Sequence, residues 1–277
     1  VSGAFFLPVD PGTRFCIHHP ADGPAARGSI VYVHPFGEEM NKARRMAASQ
    51  ARRLAASGYE VLQIDLLGCG DSSGEFADAR WELWRNDVRA ALGWLAERNR
   101  GPVTLWGLRL GATLAAEVAA APDLRIARLL LWQPILSGEL FITQFLRLRL
   151  ASEMLAAGAA QTGLQDLRAR LAQGEVLEIG GYELHPELAQ AVAGARLSDA
   201  APPPVNAVEW LEVSAAESPR LTPAAQRVAD AWRAQGLRVN ATAVAGEPFW
   251  TTIEIAECAA LLGATDEAMG REGAGTL

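Results

Sequence analysis

The sequence predicts an α/β protein: a mostly parallel sheet with helices on both faces and a helical segment inserted late in the chain. Three observations carry that expectation. Short, continuously apolar runs alternate with amphipathic stretches, as strands covered on both faces alternate with helices. Glycines punctuate the ends of those runs, at Gly28, Gly58, Gly68, Gly107 and Gly111. The alternation then lapses over 137–204 and resumes afterwards. A chain of 277 residues has room for one large α/β domain with an insertion, or for two small domains. The pattern selects the first, with 1–136 and 205–277 as the core and 137–204 as a cap.

The elements follow in order. "GAFFLPV" (3–9) and "TRFCIHH" (13–19) flank Asp10-Pro11-Gly12 and read as an opening β-hairpin. "SIVYVHPF" (29–36) and "YEVLQIDLLG" (59–68) are buried strands, the second ending in the glycine-rich loop "GCGDSSGEF" (68–76). Between them, "NKARRMAASQARRLAASG" (41–58) places Ala43, Met46, Ala47, Leu54 and Ala55 on one helical face, with Gly58 as its stop. "WELWRNDVRAALGWLAERN" (81–99) is a second helix. "VTLWGLRLGATLAAEVAA" (103–120) is a strand, a glycine turn and a helix, and "IARLLLWQP" (126–134) is the next strand. The insertion reads as two or three helices plus a short extended piece, and ends in the stiff Ala-Ala-Pro-Pro-Pro connector (200–204). Strand 208–214, helix 222–236, strand 237–246 and a last helix at about 251–263 complete the chain before a polar, glycine-rich tail.

Bulk properties exclude several function classes. A net charge of −7 with no basic run argues against a nucleic-acid partner. No stretch of ~18 apolar residues predicts a membrane span. Cys16, Cys69 and Cys258 lie far apart, without a C-x-x-C pair, which suits a reducing compartment. His18, His19, His34 and His185 show no metal-site spacing, and no cofactor motif is present. The opening residues lack a signal-peptide layout. The expectation is a cytoplasmic protein without metal or cofactor.

The turn Gly107-Leu108-Arg109-Leu110-Gly111 has the G-x-S-x-G spacing of a nucleophile elbow, with arginine in the serine's place. Together with the element order, it makes the chain resemble the α/β-hydrolase fold. "VHPFGEEMNKARR" (33–45), "DLLGCGDSSGEF" (65–76) and "GEPFW" (246–250) more narrowly resemble the second type of bacterial exosortase-associated hydrolase. The resemblance implies a functional link to exosortase or exopolysaccharide machinery. It also puts the nucleophile at Arg109, the triad acid nearest Glu217 and the base at Glu247, where a histidine is usual. No histidine follows His185. By the same resemblance, the Phe36 and Leu110 N–H groups form an oxyanion-type pair. His34, Trp132 and Trp250 become pocket candidates, and 137–204 a lid with Phe141, Ile142, Phe145, Leu146, Leu148 and Leu150 as its apolar cover.

The chemistry of these residues is unfavourable for ester hydrolysis. A serine needs an imidazole to take its proton and a carboxylate to orient that imidazole. Arg109 has five donors and no acceptor, so it is neither nucleophile nor base. Placed at a helix N-terminus, its cation requires a negative partner. That partner is Glu247, with Glu217 nearby, or a carboxylate, phosphate or sulfonate of a small anionic or acyl ligand. The alternative is a relocated nucleophile, Ser72, Ser73 or Cys69, with His34 as its base. Asp71 reads as a turn former. A third reading is an unrelated α/β protein in which "GLRLG" is only a packing turn.

Overall fold

A computed structural model describes residues 2–23, 25–157 and 163–271. Eight strands form one sheet: β1 (Gly3–Pro8), β2 (Thr13–His19), β3 (Gly28–Val33), β4 (Tyr59–Ile64), β5 (Val103–Leu108), β6 (Arg128–Trp132), β9 (Ala207–Ser214) and β10 (Arg238–Ala245). Their spatial order is β1-β2-β4-β3-β5-β6-β9-β10. The β1–β2 and β2–β4 pairs are antiparallel, and all later pairs are parallel.

Alternate residues of each central strand serve opposite faces, as the pleat requires. Ile30, Tyr32, Trp106, Leu108, Leu130 and Trp132 meet α1 (Glu38–Ala56) and α8 (Ala259–Gly270). Val31, Val33, Leu105, Leu129 and Leu131 share the other core with α2 (Trp81–Ala96), α3 (Leu110–Ala119) and α7 (Pro223–Ala234). The apolar runs are continuous because both faces are covered.

Between β6 and β9 the chain leaves the sheet for α4 (Gly138–Ala157), α5 (Leu164–Ala172), a hairpin of β7 (Leu177–Ile179) and β8 (Tyr182–Leu184), and α6 (Pro186–Gly194). Gly180 and Gly181 both have positive φ, 58° and 84°, as a tight two-residue hairpin turn requires. Phe141, Ile142, Leu146, Leu184 and Leu188 belong to the same apolar cluster as Phe36 and Trp84.

The last helix differs from expectation. Residues 251–257 are irregular, and α8 begins only at Ala259. The Thr251 hydroxyl donates to Pro248 O (3.0 Å), and that of Thr252 lies 3.1 Å from Phe249 O and 2.7 Å from Glu254 O. Such side-chain bonds give the backbone a partner other than a helix. The helix then runs to Gly270, through part of the segment read as a polar, glycine-rich tail, whose last residues, 272–277, lie outside the described ones.

Candidate functional site

The turn after β5 has the backbone of a nucleophile elbow. Arg109 has φ 56° and ψ −121°, a pose that L-residues rarely adopt. Its N–H donates to Trp132 O (2.9 Å), and its carbonyl accepts from Ala112 N (3.1 Å) and Ile135 N (3.3 Å). The flanking glycines are sterically required. A Cβ on Gly107 would lie 2.4 Å from Ala112 Cα, and one on Gly111 would lie 2.3 Å from His34 O. The turn therefore brings β5, α3 and the loop after β3 into backbone contact.

That loop supplies the partner of Arg109. Gly37, with φ 55°, redirects the chain into α1, and Glu39 stands in that helix's first turn. The Glu39 carboxylate accepts from Arg109 Nη2 (3.1 Å) and Nε (3.2 and 3.3 Å), with each side chain 17% exposed. The Trp250 ring lies under the guanidinium, 5.4 Å from its carbon. Burial pushes the Glu39 carboxyl above its usual range, while the Arg109 charge and hydrogen bonds pull it back. The α1 dipole also favours an anion at this place.

A cavity of about 340 Å³ opens over the ion pair, with Phe36, Lys42, Phe141, Phe145 and Trp250 among its walls. Gln144 and Leu148 complete its α4 side. Neither Phe36 N–H nor Leu110 N–H has an acceptor among the described residues. The Leu110 group is one of the orphan donors that any helix start leaves.

His34 is fully engaged. Its Nδ1 donates to Pro35 O (2.7 Å), which leaves Nε2 to accept from Leu66 N–H (3.1 Å). Only the neutral ring serves both bonds, and burial depresses its pKa accordingly. The imidazole ties the loop after β3 to the loop after β4 and has no lone pair left for a nucleophile. The Ser72 hydroxyl donates to Asp65 O (2.6 Å) and accepts from Phe15 N (2.9 Å). Ser73 Oγ accepts from Thr13 N (3.0 Å). Cys69 is buried, and burial raises its thiol pKa, keeping it protonated. None of the three is hydrogen-bonded to His34. Asp65, rather than Asp71, organises this turn, accepting from Asp71 N–H (3.2 Å) and pairing with Arg44 (2.9 Å).

The other sequence candidates separate. Glu247 and Glu217 are both exposed, and Arg109 bonds to neither. Trp250 lines the cavity, whereas Trp132 is wholly buried and donates to Thr265 Oγ1 (3.0 Å). Within the expected apolar cover, Phe141, Phe145 and Leu148 reach the cavity, while Ile142 and Leu146 pack inward. Glu39 was missed: a glutamate at a helix start reads as a solvated dipole partner, and nothing local ties it to a residue 70 positions away. The one available signal was its place two residues after the Gly37 turn.

Among the described residues, no group of three or more His, Cys, Asp or Glu side chains is arranged to hold a metal ion. No helix among them is long and apolar enough to cross a membrane.

A sheet of this order, with an elbow after β5 and a loop after β3 facing it, defines an α/β-hydrolase fold. The chain belongs to the serine aminopeptidase S33 family, whose model matches residues 24–178. It is 29% identical over 136 residues to human Protein ABHD12B, and 38% identical over 85 residues to an acyl transferase of Photobacterium leiognathi. Those matches cover 42% and 30% of the chain, and 36% and 27% of the relatives' own lengths. Est1E from Butyrivibrio proteoclasticus, solved with ferulic acid, superposes with a TM-score of 0.66 at 16% identity, covering 98% of this chain and 100% of that one. XC6422 from Xanthomonas campestris, described as an α/β serine hydrolase without lid, gives 0.58 at 16% identity, covering 98% and 94%. At such identities these solved structures share the fold.

Proposed function

We propose that this chain is a non-hydrolytic α/β-hydrolase-like protein whose elbow cavity, covered by α4 acting as a lid, binds an anionic or acyl ligand. The observation that carries the reading is Arg109 in the elbow pose, clasped by Glu39. A guanidinium held in this way neither attacks a carbonyl carbon nor takes a proton. His34, whose carbonyl abuts Gly111 of the elbow, has both ring nitrogens occupied. The exosortase association rests on the motifs at 33–45, 65–76 and 246–250.

A fluorophosphonate probe that labels activated serines tests the first part. The purified protein is expected to stay unlabelled beside a heat-inactivated control. Specific labelling mapped to Ser72 or Ser73 would show that a nucleophile has moved, and the reading fails. Deleting the gene in a host with an exosortase tests the association, which unchanged surface-protein sorting and exopolysaccharide output would remove.

A further inference from the structure

We propose that the elbow cavity takes a monocarboxylic acid with an apolar tail, and that Glu39 takes up one proton when this ligand binds. The inference rests on the binding reading above. The cavity presents more donors than the protein satisfies. Of the residues that line it, Arg109 Nη1, Lys42 and the Phe36 N–H have no acceptor among the described residues, whereas Arg109 Nε and Nη2 are held by Glu39. Phe141, Phe145, Leu148 and Trp250 supply apolar walls around them. A head group with acceptor oxygens and an apolar body fits that lining.

The charges decide the rest. From α1, Glu38, Glu39 and Lys42 face the cavity; from the elbow, Arg109. The α4 side offers Phe141, Gln144, Phe145 and Leu148, and the loop after β10 offers Trp250 and Thr251, none of them charged. Glu38 accepts from Tyr182 Oη (3.1 Å) and Asn41 Nδ2 (3.0 Å), so the carboxylate on the guanidinium is that of Glu39. A ligand carboxylate at Arg109 adds a third anion, beside Glu38 and Glu39, to a half-closed site with two cations, Arg109 and Lys42. Two carboxylates sharing such a site do not both stay ionised, and one takes a proton. Burial already favours protonation of Glu39, so the proton goes there.

Calorimetric titration of the whole protein with octanesulfonate tests the coupling, because that head group stays ionised throughout. Runs in two buffers of different ionisation enthalpy, across mildly acidic to mildly alkaline pH, count the protons. The expected result is net proton uptake, with Kd falling up to about tenfold per pH unit as pH drops through the Glu39 titration. Octanoate is expected to bind and 1-octanol not to. Glu39→Gln is expected to bind octanesulfonate more tightly at alkaline pH and with a flat profile. The proton count on the natural protein needs no variant. Binding of octanesulfonate without proton uptake overturns the coupling and leaves the binding reading standing. Equal binding of 1-octanol overturns the head-group assignment. Absence of binding by both anions at every pH removes the binding reading as well.

Discussion

Arg109 and Glu39 are a matched pair, and each constrains what replacing the other does. Glu39→Ala leaves a guanidinium in a half-closed site with its charge unmet, and we expect a loss of about 1–3 kcal/mol, read as a lower urea midpoint. Arg109→Ser places a hydroxyl in the elbow but brings no base with it. Its p-nitrophenyl ester turnover is expected to stay at the uncatalysed background, and turnover that saturates with substrate would contradict the account of His34. That histidine also gives the stability a pH dependence. Its folded pKa lies below the unfolded value because the buried ring must stay neutral. The unfolded chain therefore binds more protons, and stability is lost as pH falls below about 6.5, by at most about 1.4 kcal/mol per unit. His19 adds a shift of the same sign. In His34→Asn, the fall in urea midpoint between neutral and mildly acidic pH is expected to be shallower, although the starting stability is lower.

At the scale of elements, the turn between β5 and α3 admits no side chain at its flanking positions. In Gly111→Ala, the new methyl meets the backbone carbonyl oxygens of His34 and Val33 at 2.3 and 2.4 Å. Neither oxygen can withdraw without pulling on β3. The expected result is a destabilisation of at least about 3 kcal/mol or failure to accumulate folded protein, measured by denaturant titration or soluble yield. The same scale shows what the sequence discloses. The strands were legible because double burial writes uninterrupted apolar runs, and the glycine spacing marked the elbow directly. The start of α8 was not: the apolar spacing of 251–263 suits a helix, but threonine hydroxyls bonding to neighbouring carbonyls hold 251–257 out of one. The partner of Arg109 was illegible for a different reason. It depends on where the loop after β3 lands against the elbow, which only the assembled sheet determines.

For the molecule as a whole, the residues between β6 and β9 are not a detachable accessory. Phe141, Ile142, Leu146 and Leu188 share one apolar cluster with Phe36, Trp84 and the central strands. Tryptophan fluorescence and far-ultraviolet circular dichroism are therefore expected to report coincident, single unfolding transitions; two resolved steps would show that this segment melts alone. A chain lacking 137–204 would expose that cluster and is expected to aggregate. The backbone at position 109 is set by Gly107, Gly111 and the turn after β6 rather than by the residue that they carry. Holding an L-residue there costs about 1–3 kcal/mol, and the surrounding contacts meet that cost whatever the side chain. Position 109 is thus a socket: its occupant can be exchanged without reshaping the frame. The side chain at this position can be varied while the scaffold stays intact, but a new chemistry also needs its partner groups set in place around the socket.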